Sequence, residues 1–353
     1  MNALRVGRLG PLAGLTAVIA AVALVAALLI SLVGASPADA LQEFLDGAFG
    51  SPTNVGQTIT GAVPLLLVAL GWIVTFRAGR IHVGFPGQIL IGGLCAAAVA
   101  LNVGGLPSAL QLILSLLAGI VGGGLYAGVA AWLWASRGVQ EIVSTLLLNL
   151  VALQVVAWAV RGPLQETVGN QPQTDPFPDG ARWPTVSGIE GQTLSWDAIL
   201  IPLAVIAVVF VLRWTTAGFR LRLVGANAVA ARHAGYSPVR IGVMAMIASG
   251  ALAGLAGACL LLAGDTPGMT ESFEAENGFH GIAVALLAFN GPVGAILAAV
   301  LFSALSLGSG SVEAALDVPS TIATVIQGLV ILLVLVAATV LARNPRSTSA
   351  EDT

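Results

Sequence analysis

Residues 215–240 read TTAGFRLRLVGANAVAARHAGYSPVR, and this polar stretch separates two long apolar segments at about 196–214 and 240–263. Each flanking segment is close to the roughly 20 residues that an α-helix needs to cross the hydrocarbon core of a bilayer. The stretch itself carries four arginines and no acidic residue. The pattern therefore predicts a basic loop, at about 214–240, between two membrane-spanning helices.

The middle of this loop predicts a short helix. Residues 227–234 are good helix formers, with Gly225 before them and Gly235 after them. Pro238 prevents continuation into the next apolar segment, because proline has no amide hydrogen to donate. A short helix on the membrane surface is suited to docking into a groove of a partner protein, where Arg232 can pair with a carboxylate.

The rest of the chain has the composition of a membrane protein. Of its 353 residues, 57% are hydrophobic and 9% are charged, whereas a typical soluble domain has roughly 25% charged residues. The apolar segments lie at about 11–34, 57–77, 87–104, 107–135, 141–160, 196–214, 240–263, 278–290, 291–309 and 319–342. The sequence thus predicts an all-α, polytopic transmembrane helical bundle of about ten helices, forming one domain over residues 1–353.

The arginines predict the orientation of this bundle. Arginine supplies all 14 basic residues, and 12 of them fall on one side of the membrane if the chain begins in the cytoplasm. Arg161 and Arg182 are the exceptions, and they occur in a long hydrophilic stretch at 161–195. Because cytoplasmic loops are enriched in basic residues, we expect both termini to be cytoplasmic and residues 161–195 to form an extracytoplasmic loop.

An internal repeat is expected from the distribution of the segments. Five precede the 161–195 loop and five follow it, so two such halves must have opposite orientations, as in many transporters. Each half contains a region interrupted by glycine and proline, AGRIHVGFPGQILIGG at 78–93 and ENGFHGIAVALLAFNGPVG at 276–294. The predicted fold is therefore a bundle of two inverted five-helix halves.

Several kinds of chemistry are excluded by what the chain lacks. Without lysine there is no GxxxxGK[ST] phosphate-binding loop, so the chain by itself is not a P-loop ATPase. It also has no HExxH or GxSxG motif. Cys95 and Cys259 lie in apolar runs without a CxxC pair and are interpreted as packing residues. We expect no catalytic residue, metal site or cofactor in this chain.

The predicted short helix resembles the coupling-helix region of permeases from the branched-chain amino acid, ribose and nucleoside ABC importer superfamily. It is most similar to the nucleoside-type branch, whose permeases carry a Gly-x-Asn-Pro-x-Ala-Ala-Arg-Tyr-Ala-Gly run. Ala228 replaces the usual proline and His233 replaces the usual tyrosine. The matching residues are Gly225, Asn227, Ala230, Ala231, Arg232, Ala234 and Gly235.

Three further segments resemble the same branch in the same order, so the similarity extends from the second apolar segment to the ninth. The stretch FRAGRIHVGFPGQ resembles its Phe-Arg-x-Gly-x-x-Asn-Ile-Gly-x-Glu-Gly-Gln run, with His82 in place of Asn, Pro86 in place of Glu, and agreement at Phe76, Arg77, Gly79, Gly84, Gly87 and Gln88. The stretch EIVSTLLLNLVA, at 141–152, resembles its Glu-x-x-x-Thr-x-x-Leu-Asn pattern. Residues 278–302 resemble its Gly-Phe-x-Gly-Ile-Ala-Val-Ala-Leu-Leu run.

The resemblance implies both a fold and a set of partners. It implies an all-helical permease of the plasma membrane, paired with a second permease as a homodimer or heterodimer and surrounded by lipid. Two cytoplasmic ATPase subunits would use ATP, and an extracytoplasmic binding protein or lipoprotein would deliver the solute; no nucleic acid is implied. The residues expected to couple the permease to the ATPase are Gly225, Asn227, Ala230, Ala231, Arg232 and Gly235.

Polar and aromatic residues near the two interruptions are candidates for the substrate pathway. An interrupted helix frees backbone groups, which is tolerated at membrane depth only against protein or a water-filled cavity. Phe85 is a candidate for stacking on a nucleobase. The alternatives are ordinary packing, an interhelical hydrogen bond or a solvated loop. The candidate pathway residues are Phe85, Gln88, Asn149, Asn277 and Phe279.

The predicted function is ATP-driven import of a small polar solute, with nucleosides as the expected cargo. The same machinery could instead carry ribose, another simple sugar or a branched-chain amino acid. A transporter driven by protons or sodium is disfavoured, because coupling ions usually need buried acids and no Asp or Glu lies deep in a predicted helix. Glu141 is expected at a membrane edge, and Asp197 is expected in the outer loop. A passive channel or a purely structural subunit is disfavoured by the predicted docking helix.

Overall fold

The computed structural model describes residues 24–169, 171–186, 194–263, 267–271 and 276–319, together with the single positions 20, 273, 322, 324, 325, 328, 329 and 332. Across these residues the regular secondary structure is helical, and β-pairing is limited to isolated bridges in the loops. The prediction of an all-α chain is therefore confirmed. The two ends of the chain, with half of the predicted first helix and most of the predicted tenth, lie outside the described residues.

Twelve α-helices occur in the described part of the chain. They are α1 (Leu24–Leu32), α2 (Pro37–Phe49), α3 (Pro52–Arg77), α4 (Phe85–Asn102), α5 (Ser108–Arg137), α6 (Glu141–Val160), α7 (Leu200–Trp214), α8 (Thr216–Ala226), α9 (Ala228–His233), α10 (Pro238–Leu262), α11 (Asn277–Leu287) and α12 (Gly294–Leu316). Short 3₁₀ helices occupy Asp179–Ala181 and Trp196–Ile199.

Seven of these helical segments are long and apolar enough to cross a bilayer. They are α3, α4, α5, α6, α10 and α12, together with the continuous stretch Trp196–Trp214 that ends in α7. Helices α1 and α2 are bent by 106° at their junction. If the two together form one broken membrane span, the number of spans is eight. The expected eighth segment corresponds to α11, whose 11 residues cover only about 16 Å.

The basic loop contains one more helix than the sequence predicted. Thr215 starts α8 by accepting a hydrogen bond from the amide of Gly218 at 3.2 Å. Gly218 has the appearance of a helix breaker, but a Cβ at this position would overlap the carbonyl oxygen of Val211. The glycine is therefore needed for the close approach of α8 to α7, and the loop consists of α8 followed by α9.

The chain divides into two compact units, and residues 55–303 form the larger one. Its centre is the packing of α4, α5 and α10. Helix backbones meet there at glycine: a Cβ on Gly254 would overlap the carbonyl oxygen of Gly119 and the Cα of Gly123, and a Cβ on Gly92 would overlap the Cα of Gly254. Small residues at such crossings allow the van der Waals packing that drives helix association in lipid.

The Gly254 crossing provides a stability test with a matched control. We expect Gly254→Ala to destabilise the protein by about 1–3 kcal/mol, because the added methyl meets backbone atoms that cannot rotate away. Gly128→Ala lies on α5 and faces α10, but its methyl would lie 3.7 Å from Ile247. It should be neutral or stabilising, since alanine favours helices over glycine. Thermal unfolding of the purified variants measures both, and equal melting temperatures would contradict this account.

The smaller unit comprises residues 1–54 and 304–353. Its described core joins Ile30 of α1 and Ala40 of α2 to Val312 of α12, with Phe44 packed alongside. Helix α2 starts at Ser36, whose hydroxyl accepts a hydrogen bond from the amide of Asp39. The carbonyl and ring of Phe44 pack directly on Gly308, so α2 and the end of α12 are held together by another glycine contact.

Candidate functional site

The first interrupted region is a non-helical connection between α3 and α4. Helix α3 ends at Arg77, α4 begins at Phe85, and Gly79 between them has a left-handed φ of 68°. The connection turns back into the larger unit, because His82, Phe85 and Gln88 have almost no exposed surface. Its backbone groups lack helical partners, so neighbouring side chains must satisfy them.

One face of α6 holds this connection. Glu141, Thr145 and Asn149 are spaced four residues apart and therefore lie on the same side of the helix. Arg80 Nη1 lies 2.6 Å from Glu141 Oε1, and the amide of Val83 donates to Thr145 Oγ1 at 3.2 Å. We call Glu141, Thr145 and Asn149 the α6 clamp.

Asn149 makes two of the contacts of the α6 clamp. Its Oδ1 accepts a hydrogen bond from the amide of Gly87 at 2.9 Å, and its Nδ2 donates to the carbonyl of Val83 at 2.9 Å. Both backbone groups are freed by the interruption of the helix. In this conformation the predicted pathway residue Asn149 therefore holds the connection in place.

The centre of the connection is packed around His82. The amide of Gly84 points to His82 Nδ1 at 3.4 Å, so Nδ1 is the acceptor and Nε2 is free to donate to Ser249 Oγ at 3.2 Å. The ring of Phe85 stacks on His82 with centroids 4.6 Å apart, and Trp72 lies 6.4 Å away. Phe85 is fully buried, so its ring presents no surface to a solute in this conformation.

Gln88 is also buried, and its side-chain oxygen has no hydrogen-bond partner among the described residues. A buried acceptor without a donor is unfavourable, and such atoms are rare in folded proteins. The side-chain amide of Gln88 lies beside the α3–α4 connection, since its nitrogen would be 3.1 Å from a Cβ on Gly84. Gln88 therefore has an unfilled requirement for a hydrogen-bond donor.

The second interrupted region packs against the first. A Cβ on Gly278, at the start of α11, would overlap the backbone of Pro86, at the start of α4. Asn277 is half-buried here, and Phe279 is 48% exposed. The structure therefore brings together the interruptions that the sequence placed in separate halves.

Helix α11 ends close to the end of α3. Phe289 and Asn290 have left-handed φ values of 50° and 55°, which terminate the helix. Asn290 Oδ1 accepts a hydrogen bond from Trp72 Nε1 at 3.0 Å, and Arg77 donates to the carbonyl of Asn290 at 3.3 Å. Helix α11 thus runs from the interruption at Pro86 to the level of Arg77, which is only part of a bilayer.

Helix α9 is the predicted short helix of the basic loop, and local signals define both of its ends. Asn227 Oδ1 accepts hydrogen bonds from the amides of Val229 and Ala230, each at 3.0 Å. At the other end Gly235 has a φ of 83°, and the amide of Tyr236 bonds to the carbonyl of Ala231 at 3.0 Å. This is the Schellman arrangement, in which a left-handed residue ends the helix.

The predicted coupling residues have different environments. Ala230 and Arg232 are exposed, whereas Ala231 is fully buried against the chain. A Cβ on Gly225 would overlap the carbonyl oxygen of Arg77, so Gly225 positions α8 and α9 against the end of α3. Val229 of the same helix is 62% exposed and was not among the residues predicted from the sequence.

The placement of Asp197 differs from its prediction as an outer-loop residue. It is fully buried in the 3₁₀ turn before α7, and neither carboxylate oxygen has a hydrogen-bond partner in the described part of the chain. The sequence signal was weak, because a single acid at the end of an apolar segment is typical of a loop. Burial came from packing that no local pattern shows.

Long apolar helices, interruptions enclosed by neighbouring helices and a short exposed helix between two spans define a polytopic membrane transport protein. Residues 54–335 match the family described as the branched-chain amino acid transport system, permease component. The chain belongs to this family. It is a permease subunit of an ABC importer, without catalytic activity of its own, and ATP is hydrolysed by a partner ATPase.

Similar curated proteins come from several organisms. The glucose ABC transporter permease protein TsgB13 of Haloferax volcanii is 35% identical over 86% of this chain and 81% of its own length. The guanosine ABC transporter permease protein NupP of Bacillus subtilis is 33% identical, covering 87% and 88%. The nucleoside permease NupB of Lactococcus lactis is 29% identical, covering 80% and 79%. No solved structure matched the chain.

Proposed function

We propose that this permease imports nucleosides. Two of the three relatives described above are named for guanosine or nucleosides, and the third is named for glucose. The motifs of the basic loop and of the two interrupted regions resemble the nucleoside-type branch, and this favours nucleosides as the cargo. Glucose or another simple sugar is the second candidate, supported by the 35% identity to TsgB13.

The coupling role of α9 is carried by one observation: a fully capped six-residue helix presents an apolar side chain and a cation to solvent. Val229 would fill a groove of the ATPase, and Arg232 would pair with a carboxylate there. Gly225, Asn227, Ala231 and Gly235 would act indirectly, since they define the helix and its seat. Closure of the ATPases would then move α9 and, through Gly225, the end of α3.

The orientation follows from the same proposal. The ends of α3, α5 and α7, the start of α6 and the α8–α9 loop would all face the cytoplasm, since they carry most of the arginines. Residues 161–195 would face outward and receive the binding protein. The two halves of the chain would be inverted repeats, and the contact between Pro86 and Gly278 would join their interruptions.

A second permease is expected to complete the transporter. Haloferax volcanii and Bacillus subtilis each contain a second protein similar to this chain, TsgC13 and NupQ. This pairing of relatives favours a heterodimer, with the solute passing between two different permeases. The exposed face of α11, which includes Phe279, would line the path, and Gln88 would supply its unpaired oxygen when the interruptions move apart.

Uptake by source cells with and without this gene tests the cargo. We expect deletion to abolish uptake of labelled guanosine or uridine, and we expect excess unlabelled nucleoside, but not excess glucose, ribose or leucine, to inhibit the wild-type rate. Loss of glucose uptake with unchanged nucleoside uptake would assign a sugar as the cargo instead.

In the same uptake assay, Phe279→Ala should raise the half-saturation concentration for nucleoside by about tenfold, as loss of stacking on a base predicts. Phe210→Ala on α7 is the exposed control.

A further inference from the structure

A basic cavity lies between the end of α3, the junction of α7 and α8, and the start of α12. It has a volume of about 520 Å³, and its lining includes the side chains of Arg77, Arg213 and Arg222. A second cavity of about 320 Å³ shares Arg77 and Arg222 with it and extends along α8 to the α11–α12 turn. We refer to these two adjoining cavities together as the basic cavity. Among the residues that the structure describes, no acidic side chain lines either part.

The positive charge of the basic cavity is not balanced within the described residues. Arg77 donates a hydrogen bond to the neutral carbonyl of Asn290. The ion pairs in the described part of the chain involve Arg80 and Arg161, not the three arginines of the cavity. Arg77 and Arg222 are both half-buried. Three neighbouring cations, two of them partly removed from water, favour an anion as their partner.

The remaining described lining of the larger part is apolar. Val209 and Leu212 of α7 and Val293 at the start of α12 form one wall. The neighbouring face of α7 carries large exposed side chains at helical spacing: Leu203, Ile206, Phe210 and Trp214. In a membrane protein such a face is suited to contact with lipid, and an exposed tryptophan at the end of a helix is typical of the interface with water. The cavity is therefore accessible to molecules in the bilayer at headgroup depth.

We propose that the basic cavity binds the headgroup of an anionic phospholipid from the leaflet that meets the arginine-rich end of the bundle. The phosphate would bridge Arg213 and Arg222 to Arg77, while the acyl chains would lie along α7. Basic pockets between membrane helices are suited to this class of ligand. Because the cavity reaches Gly225 and Ala226, the bound lipid would tie α8 to the end of α3. Its effect on transport, which rests on the proposed coupling role of α9, would be to stabilise one position of that helix.

Titration of the purified full-length permease with phosphatidylglycerol or phosphatidylcholine, followed by native mass spectrometry, tests this site. We expect the wild type to prefer phosphatidylglycerol. The double variant Arg213→Gln/Arg222→Gln should bind phosphatidylglycerol about 25-fold more weakly, because each arginine contributes roughly fivefold to binding of an anionic lipid. The variant Arg213→Lys/Arg222→Lys, which keeps the charge, should remain within about threefold of the wild type.

A matched control separates the cavity from the general charge of this surface. Arg137→Gln/Arg240→Gln removes two exposed arginines that do not line the cavity, and it should leave lipid preference unchanged. An equal loss of phosphatidylglycerol binding in Arg213→Gln/Arg222→Gln and Arg137→Gln/Arg240→Gln would overturn the proposal. Displacement of the lipid by millimolar inorganic phosphate would assign the site to a free anion instead. If Arg213→Gln/Arg222→Gln binds lipid normally but no longer co-purifies with the ATPase, the basic cavity would instead be a contact surface for the ATPase. The α9 variants described below should bind phosphatidylglycerol normally even if they do not transport.

Discussion

Replacing Val229 and Arg232 of α9 with glutamate is expected to lower solute uptake by at least about 30-fold while the protein stays folded in the membrane. Both side chains are exposed, so the substitutions remove little packing within the chain. They replace the apolar contact and reverse the charge on the face proposed to dock on the ATPase. Opposed like charges at an interface cost several kcal/mol. Uptake of labelled nucleoside and co-purification of the ATPase with the permease measure the effect.

The control for this variant is Val239→Glu/Arg240→Glu. It makes the same two changes at exposed positions of the first turn of α10, outside α9. We expect it to transport at close to the wild-type rate. Ala231 is unsuitable for such a test, because it is fully buried and a glutamate there would disturb the seat of α9. Full transport and normal ATPase binding by the Val229/Arg232 variant would disprove the docking role.

Asn149→Leu should lower the stability of the protein by about 2–6 kcal/mol. The substitution preserves the branched shape and the number of heavy atoms of the side chain but leaves the amide of Gly87 and the carbonyl of Val83 without their partner. An unsatisfied buried backbone group costs about 1–3 kcal/mol, and water cannot replace the partner inside the bundle. Thermal unfolding in detergent is expected to show a melting temperature at least about 5 °C lower than that of the wild type.

Two comparisons make the Asn149 test specific. Gln154→Leu changes an exposed polar residue on the same helix and should be neutral. Asn149→Asp keeps an acceptor for Gly87 but places a buried carboxylate oxygen against the carbonyl of Val83, so it too should be less stable than the wild type. If Asn149→Leu is as stable as the wild type but transports poorly, the residue serves the pathway and not the α6 clamp.

Local sequence signals were sufficient for α9 and insufficient for α8. The cap at Asn227, the left-handed turn at Gly235 and the proline at 238 act within a few residues, and the observed helix agrees with them. Gly218 carries the same local signal as a breaker. Its role is to let α8 approach the backbone of α7, and that contact depends on the position of a neighbouring helix.

The α6 clamp also combines a feature that local sequence indicates with contacts that depend on neighbouring parts of the fold. The spacing of Glu141, Thr145 and Asn149 already placed them on one face of a helix, and an interhelical hydrogen bond was among the alternatives considered for Asn149. The partners of these residues are an arginine and backbone groups about 60 residues away in the chain. No period or motif identifies such a partner, because it depends on how the α3–α4 connection folds back into the bundle.

The sequence by itself determined the class of this protein, because composition and hydropathy act over whole segments: a chain with 9% charged residues and repeated apolar runs must use lipid as part of its solvent. It also determined the ends of α9, since caps are local. Only the tertiary structure decided that Phe85 is buried on His82, that the two interruptions meet at Pro86 and Gly278, and that three arginines surround one cavity. Those features depend on which helices become neighbours, and helix neighbours in a membrane are selected by close packing of small residues distributed across the whole chain.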